Sequence, residues 1–187
     1  WHNLLHIYTM TRIIAGEWRG HSLPKLKTGT VRPTTDRART VLFDTLRNVQ
    51  DFNVLDLYSG TGALGFEALS RGAASLVSID KDPTYIHMQK DWVKDRGKQF
   101  KAYVGDVGAI LKRLSQKYDL ILADPPYDQG ISNDILGLIE AHISAQGVFV
   151  FEKSKRDEST LNSKLFVLAK EKVVAETKIQ IYKACGI

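Results

Sequence analysis

The fold is decided at residues 54–65, which read Val54-Leu55-Asp56-Leu57-Tyr58-Ser59-Gly60-Thr61-Gly62-Ala63-Leu64-Gly65. The apolar start predicts a buried β-strand, and the residues from Ala63 to Arg71 predict a helix. Small residues at such a turn let a ligand approach the backbone where the helix begins. The spacing fits G-x-G-x-x-G, which several nucleotide-type cofactor sites share, so it predicts a ligand loop without naming the ligand.

The same alternation of strand and helix patterns continues toward the end of the chain. Apolar runs predict strands at 75–80, 100–104, 118–123 and 147–152, with helices at 83–96, 109–114 and 131–143. The last two predicted strands, 165–174 and 179–183, have no helix between them and should pair as an antiparallel hairpin. The chain is therefore predicted to be α/β, with a mostly parallel, seven-stranded sheet, helices on both faces and a C-terminal antiparallel hairpin.

The residues before this sheet predict a small arm and one helix. Two short extended segments flank Gly16-Glu17-Trp18-Arg19-Gly20 and predict a β-hairpin. Pro33 disfavours helix just before it, and Thr35 or Asp36 can cap the helix that follows. The apolar face of that helix consists of Ala38, Val41, Leu42, Leu46 and Val49. Arg37, Arg39 and Arg47 lie outside this face.

We divide the chain into residues 10–50, the basic arm and helix, and residues 51–187, the sheet domain. Residues 1–9 are interpreted as an upstream extension or a cloning remnant, because Met10 looks like a more natural start. No apolar run approaches the roughly 20 residues that a membrane span needs. The single cysteine, Cys185, suits a reducing cytosol, and the five histidines show no metal-ligand spacing.

The net charge of +5 lies entirely in the first part of the chain. Residues 1–50 hold 8 Lys or Arg and 3 acids, whereas residues 51–187 hold 18 bases and 18 acids, which cancel. A basic arm on a neutral body suggests an anionic partner, with nucleic acid first among the candidates. A solvated basic surface without a partner is the alternative interpretation.

Three acids lie at the ends of three successive predicted strands: Asp56, Asp80 and Asp106. A fixed anion at Asp56 suits a cofactor that bears an ammonium group, such as the methionine part of S-adenosylmethionine, and would repel a pyrophosphate. Asp80 can accept hydrogen bonds from two ribose hydroxyls, and Asp106 from an adenine amino group. Each acid alone could be a helix cap or turn former. Their shared edge of the sheet favours a site for an adenosyl cofactor.

A second turn, Asp124-Pro125-Pro126-Tyr127, follows the apolar strand at 118–123. It resembles the [Asp/Asn/Ser]-Pro-Pro-[Tyr/Phe/Trp] signature of methyltransferases that act on exocyclic amines. The Asp124 carboxylate and the Pro125 carbonyl can accept from the amine N–H groups and stabilise the charge that develops on nitrogen. The prolines stiffen this geometry, and Tyr127 can stack on a displaced base. An ordinary turn of solvent-facing residues is the alternative.

The order of the motifs is similar to that of the RsmD family, bacterial methyltransferases that modify guanine N2 in 16S ribosomal RNA. The likeness is carried by residues 12–20, by Arg32-Pro33-Thr34-Thr35-Asp36-Arg37 with Leu42-Phe43-Asp44, by residues 56–65 and by residues 124–127. It implies the Rossmann-like fold of class I S-adenosylmethionine-dependent methyltransferases, with residues 51–187 as the catalytic domain. It also implies a cytoplasmic enzyme whose partner is 16S rRNA in the small ribosomal subunit or an assembly intermediate.

The resemblance extends the predicted site beyond the motifs. Four residues before and within the first helix would line the cofactor entrance and the RNA surface: Arg32, Thr34, Thr35 and Arg37. The other predicted cofactor residues are Asp56, Tyr58, Ser59, Gly60, Thr61, Gly62, Gly65, Asp80, Lys81, Gly105, Asp106 and Val107. Predicted RNA contacts are Arg12, Trp18, Arg19 and Arg39, although Trp18 could instead be a packing residue of the hairpin. Lys153, Lys155 and Arg156 could extend a phosphate track or form a solvated loop.

Four other functions fit parts of the pattern. An N6-adenine DNA methyltransferase shares the motif order but usually carries a target-recognition domain, for which 187 residues leave no room. A protein-glutamine methyltransferase would favour Asn at position 124. A non-catalytic RNA-binding assembly factor would not need the amine-orienting turn, and Asp56 disfavours an NAD-dependent oxidoreductase. We expect a monomer without a metal.

Overall fold

The computed structural model describes residues 11–23, 35–126 and 130–185. Seven strands form one sheet in the order β3-β2-β1-β4-β5-β7-β6. The strands are β1 Asn53–Leu57, β2 Ser75–Asp80, β3 Gln99–Val104, β4 Tyr118–Ala123, β5 Ile143–Ser154, β6 Phe166–Val174 and β7 Thr177–Ala184. Strands β1 to β5 run parallel, and β7 pairs antiparallel with both β5 and β6. The predicted fold class and the C-terminal hairpin are confirmed.

Five helices accompany the sheet in the described residues: α1 Asp36–Leu46, α2 Ala63–Ser70, α3 Pro83–Val93, α4 Val107–Leu111 and α5 Asn133–His142. Their starts follow from capping side chains, because the first N–H groups of a helix have no partner within it. Thr35 accepts from the Ala38 N–H at the start of α1, as predicted, and Ser132 accepts from Ile135 at the start of α5. Asp82 caps α3, with Pro83 in the first turn.

Some predicted bounds are wrong. Helix α4 begins at Val107 rather than residue 109, because Asp106 caps it, and α5 is shorter than the predicted 131–143. Strand β5 begins at Ile143 and ends at Ser154 instead of covering 147–152. It is longer because Ile143 pairs with Tyr118 at one end and Ser154 pairs with Thr177 at the other.

Two hydrophobic clusters lie on the two faces of the sheet. One holds α1, α2 and α3 against alternate sheet residues such as Val54, Leu122 and Val150. The other holds α4 and α5 against the intervening residues, such as Leu55, Ile121 and Phe149. Side chains of neighbouring residues in a strand point to opposite faces, so each strand contributes to both clusters. We call the first face, which carries α1 to α3, the α2 face.

The arm, residues 11–23, forms a hairpin with one antiparallel bridge, between Arg12 and Ser22. It is docked on α2 through polar contacts. The Glu67 carboxylate accepts from the N–H groups of Ile14 and Ala15, at 2.8 and 3.1 Å, and Ser70 Oγ accepts from the Trp18 N–H at 2.9 Å. Ile13 and Trp18 join the hydrophobic cluster of the α2 face. The arm therefore shares its core with the sheet domain and with the helix that follows the glycines.

Replacing Gly16 with alanine is expected to release the arm from α2. A Cβ at this position would lie 1.9 Å from the Ser70 carbonyl oxygen, and the φ of +84° is left-handed. We expect a loss of about 3 kcal/mol or more in unfolding free energy, measured by urea denaturation. Gly20→Ala is the matched control, because Gly20 has the same φ of +84° with nothing within 4 Å. That variant should lose only about 1–2 kcal/mol, and equal losses would contradict tight docking at Gly16.

No helix among the described residues is long and apolar enough to cross a lipid bilayer.

Candidate active site at the carboxyl edge of the sheet

The carboxyl ends of the parallel strands bring four acids to one edge: Asp56 in β1, Asp80 at the end of β2, Asp106 after β3 and Asp124 after β4. The charges of Asp80 and Asp124 act on Asp56, which places these three carboxyls close together. Ligands of open α/β sheets bind outside the carboxyl ends of the strands, where the strand order reverses. In this sheet the strand order reverses at β1, because β2 and β3 lie on one side of β1, whereas β4 and β5 lie on the other.

The glycine loop, residues 59–65, is fixed from below by two of these acids. Asp80 Oδ2 accepts from the Gly60 N–H at 2.8 Å, and Asp56 Oδ2 accepts from the Gly65 N–H at 3.0 Å. A Cβ at Gly65 would lie 2.9 Å from Asp56 Oδ2, so only glycine permits this approach. Above Gly60 there is open space, with nothing within 4 Å of a Cβ built there. A ligand can therefore reach the backbone of this loop.

Gln89 of α3 is a loop-positioning residue that no sequence motif indicated. Its side chain is fully buried and donates to Ser59 Oγ at 2.9 Å and to the Gly60 carbonyl at 2.7 Å. These two bonds hold the start of the loop against α3. The helical pattern of the sequence predicts α3, but no pattern indicates that the side chain of Gln89 in this helix contacts the glycine loop.

Asp56 differs from the fixed anion that the sequence predicted. Burial raises the pKa of this carboxyl to about 8; the Gly65 N–H acts in the opposite direction, while the charges of Asp124 and Asp80 raise the pKa further. Burial dominates because the low-dielectric interior disfavours the ionised form. At neutral pH the carboxyl of the protein alone is therefore mainly protonated. A cationic group bound beside it would favour the ionised form and release the proton.

The other predicted cofactor residues lie along the same edge. Asp80 is buried and also accepts from the Asp82 N–H, while Asp106 is exposed and accepts from Ala109 as the cap of α4. Asp106 therefore does act as a helix cap and Asp80 does accept from a turn N–H, as the alternative interpretation of these acids predicts. A carboxylate has about four lone-pair positions, so a ligand can still hydrogen-bond to Asp80 and Asp106.

Three neighbours of these acids have different surroundings. Lys81 is exposed, whereas the Val107 side chain packs in the cluster opposite the α2 face and leaves only its backbone for a ligand. Tyr58 has a left-handed φ of 58°, a conformation that costs energy for a residue with a side chain. Burial, and secondarily the Asp106 charge, raise the pKa of the Tyr58 hydroxyl. The Tyr58 hydroxyl is therefore within the electrostatic influence of Asp106.

The proline turn begins directly after β4. Asp124 is half-buried, Pro125 is buried and Pro126 is exposed. Because Ala123 packs on the face opposite α2, the next residue, Asp124, points to the α2 face, where Asp56 also lies. The acid of the proline turn and the acid of β1 therefore share one side of the edge. Three predicted site residues, Arg32, Thr34 and Tyr127, lie outside the described residues.

Of the predicted residues around α1, Thr35 caps the helix and Arg37 is exposed. The prediction that Arg39 contacts RNA is wrong. Its side chain is fully buried, and Nη2 donates to the Arg12 carbonyl and to Asp36 Oδ1, each at 2.7 Å. Burial lowers the pKa of this guanidinium, while Asp36, Glu67 and Glu152 act to raise it. Arg39 therefore ties α1 to the arm from the inside.

The prediction that Trp18 contacts RNA is also wrong, and the packing alternative is correct. Trp18 is 4% exposed and meets Trp92 edge-on at a ring-centroid distance of 5.3 Å. A base has no access to a ring in that position. Arg12 and Arg19, by contrast, are exposed on the arm. Their prediction as RNA contacts stays a prediction.

The prediction that Lys153 could contribute to a phosphate-binding track after β5 is wrong. Lys153 is buried and donates inward to the Ser159 carbonyl oxygen. Its cross-strand partner Lys178 is also buried and donates to the Asp157 carbonyl at 3.2 Å. Both lysines hold the segment after β5 in place, while Lys155 and Arg156 face solvent.

Comparison with known proteins gives a consistent set of relatives. The model of a family described as conserved hypothetical protein 95 matches residues 11–183. The Ribosomal RNA small subunit methyltransferase D of Escherichia coli is 29% identical over 176 residues, which cover 92% of this chain and 89% of that protein.

Solved structures agree with this relationship. A structure described as “Putative methyltransferase yhhF from Escherichia coli” superposes with a TM-score of 0.84 at 27% identity, covering 94% of this chain and 98% of the other. A second structure, described in similar terms and complexed with SAH, has a TM-score of 0.65 at 17% identity, covering 86% of this chain and 52% of the other. The second likeness shows a shared fold.

Proposed function

The chain belongs to the family described as conserved hypothetical protein 95, and from that premise we propose that it is an S-adenosylmethionine-dependent methyltransferase of ribosomal RNA. Its substrate is the exocyclic N2 amine of a guanine in 16S rRNA. The relative from Escherichia coli is named for the small subunit RNA, and it matches nearly the whole chain. The substrate of the present chain is inferred from that name and from the chemistry of the site.

One observation carries the proposal: Asp124 and Asp56 project to the α2 face from the ends of the neighbouring strands β4 and β1, and the charge of Asp124 acts on Asp56. Asp124 begins the proline turn that suits an amine, and Asp56 suits a cationic cofactor. An amine acceptor and a cation-binding acid side by side are what methyl transfer from a sulfonium donor to an amine requires.

The residues at this edge fit S-adenosylmethionine. Asp56 would hold the ammonium group, Asp80 the ribose hydroxyls and Asp106 the adenine amine, with Gly60 leaving room for close approach. The carboxyl of the buried, mainly protonated Asp56 would gain a charge partner from that ammonium group. When bound, the cofactor supplies a methyl group on a positively charged sulfur.

The proline turn orients the acceptor amine. The lone pair of an exocyclic amine is delocalised into the ring, so the nitrogen is a weak nucleophile until its N–H groups are held out of the ring plane. In this proposal the Asp124 carboxylate and the Pro125 carbonyl accept those N–H groups and stabilise positive charge on nitrogen. Asp124 can also receive the proton that the methylated nitrogen loses. The chemistry assigns no role to a metal.

The arm supplies charge for RNA. Arg12 and Arg19 are exposed, and the arm is fastened to α2, which begins at the glycine loop. Arginine binds phosphate oxygens in a bidentate manner, which positions an RNA without reading its sequence. We place the enzyme in the cytoplasm as a monomer that acts on the small ribosomal subunit or an assembly intermediate.

Replacing Arg12 and Arg19 with alanine is expected to weaken RNA binding and to reduce its dependence on salt. Each lost phosphate contact lowers the slope of log K against log salt by about 0.9, so the double variant should lose roughly 2. The carbonyl of residue 12, which accepts from Arg39, survives the exchange. Lys112 and Arg113, exposed near the end of α4, give a matched double-alanine control. An unchanged slope in the arm variant would remove the arm from the RNA interface.

Transfer of radiolabelled methyl from S-adenosylmethionine tests the function directly. The acceptors are small ribosomal subunits from cells that lack this activity, and the product is digested to nucleosides. We expect N2-methylguanosine in 16S rRNA. Labelled N6-methyladenine in DNA, with none in RNA, would keep the methyl-transfer chemistry and replace the substrate.

A further inference from the structure

The register of β4 and β5, continued by one residue, brings Glu152 of β5 opposite Asp124. Strands β4 and β5 pair in parallel, with Leu122 opposite Val150 and Ala123 opposite Phe151. The next residues along this register are Asp124 and Glu152. Val150 and Leu122 both pack on the α2 face, so the side chain of Glu152, two residues after Val150, points to the same face.

An independent observation agrees with this placement. The charge of Glu152 acts on the guanidinium of Arg39, which belongs to α1 and lies on the α2 face. Glu152 is 2% exposed. Burying a carboxylate is costly, so a buried acid is retained where it has a structural or a chemical task. Asp56, Asp124 and Glu152 thus project to one face from three consecutive strands of the sheet.

A pair of acceptors on neighbouring strands suits one edge of guanine. Neighbouring strands lie about 4.8 Å apart, so the two carboxyl groups can each accept from one of two adjacent donors on a planar base. Guanine presents such a pair, because its N2 amine and its N1–H are neighbours on the Watson–Crick edge. Adenine presents an amine beside an N1 lone pair, which would face a carboxylate unfavourably.

We propose that Glu152 selects guanine by accepting the N1–H while Asp124 accepts from the N2 amine. The inference rests on the proposed function, since it concerns the base that enters that same site. The proposal gives Glu152 a role in base specificity, although Glu152 belongs to none of the sequence motifs.

The test compares guanine with 2-aminopurine at the target position of 16S rRNA. 2-Aminopurine keeps the amine at C2 but has no hydrogen at N1. The target is first located by mapping the wild-type product, and both bases are then introduced by ligating synthetic RNA, followed by reconstitution of the subunit. We expect the wild-type enzyme to methylate the guanine substrate at least about tenfold more efficiently, in kcat/KM, than the 2-aminopurine substrate.

The variant Glu152→Gln should lose this preference. A glutamine amide can donate to an unprotonated N1, so the ratio of the two efficiencies should fall by at least about tenfold. Glu158→Gln is the matched control, since Glu158 is 85% exposed in the segment after β5, and its ratio should stay at the wild-type value. Thermal melting and binding of S-adenosylhomocysteine are measured for each variant to verify its fold.

The outcomes separate this inference from the proposed function. If the wild-type enzyme forms no N2-methylguanosine, the proposed function fails and the inference with it. If guanine is methylated but 2-aminopurine reacts equally well, only the role of Glu152 fails, whatever the variant does. If Glu152→Gln lowers both efficiencies by the same factor, Glu152 is a structural partner of its surroundings, and the inference is overturned.

Discussion

Replacing Asp124 with alanine is expected to lower methyl transfer by about 10³-fold. In our proposal the variant loses the charged acceptor for the amine N–H and a base for the departing proton. Binding of S-adenosylmethionine should stay within about tenfold of the wild-type value, because the proposed cofactor acid is Asp56, on which Asp124 acts through its charge. Single-turnover rates and isothermal titration calorimetry measure the two quantities separately.

Two further variants sharpen this result. Asp124→Asn keeps a carbonyl oxygen as acceptor but removes the negative charge, so its rate should lie between those of the wild type and the alanine variant. Asp91→Ala removes an exposed carboxyl from α3 and controls for the change of net charge. An alanine variant at position 124 that retained a rate within a few-fold of wild type would exclude Asp124 from the amine site.

Replacing Asp56 with asparagine is expected to abolish tight cofactor binding and, in the absence of cofactor, to stabilise the protein at alkaline pH. The folded-state pKa of about 8 lies above the ordinary aspartate pKa of 3.8, so between these values the folded protein holds a proton that the unfolded chain has lost. The stabilisation by this group is complete below pH 4 and is lost as the pH rises to 8. The difference corresponds to a free energy on the order of 5 kcal/mol.

Asparagine is neutral at every pH and still offers an oxygen to the Gly65 N–H, the contact made by Asp56 Oδ2. The unfolding free energy of the variant minus that of the wild type should therefore increase by several kcal/mol between pH 5 and pH 8. Urea denaturation without cofactor at several pH values measures it. Asp91→Asn controls for the exchange itself, and curves for Asp56→Asn that ran parallel to the wild type would contradict a buried, protonated carboxyl.

Cofactor binding should also depend on the protonation of Asp56, but the affinity should rise with pH, whereas the unfolding free energy of the wild type falls. Binding of the ammonium group favours ionised Asp56, so wild-type affinity should rise between pH 6 and pH 8 as less work is needed to remove the proton. The residual binding of the asparagine variant should lack this component. Calorimetry in buffers of different ionisation enthalpy would detect the proton that the wild type releases at pH 7.

Local patterns were sufficient for the elements that depend on neighbouring residues. The glycine loop, the strand before it and the helix after it follow from residues 54–71, because turn chemistry and apolar periodicity are local properties. Thr35 was predicted as a cap for the same reason, and its side chain accepts from Ala38 three residues later. The alternation of strands with helices was likewise sufficient to indicate a parallel sheet and its C-terminal hairpin.

The positions of long polar and aromatic side chains were predicted less well. Arg39 and Lys153 look like surface residues in sequence, and Trp18 could equally have stacked on a base. In the structure all three are buried, because the arm covers Arg39, the segment after β5 covers Lys153 and Trp92 meets Trp18. Whether such a residue faces solvent depends on which distant segment packs over it.

Short patterns with a local physical cause were enough to predict the fold class, the glycine loop, the acids at the strand ends and the proline turn. Tertiary contacts were needed to show that Gln89 holds the loop, that burial raises the pKa of Asp56 and that the β4–β5 register brings Glu152 toward Asp124. These three facts depend on strand register and on burial. Both are set by contacts between residues far apart in the chain, which no local pattern specifies.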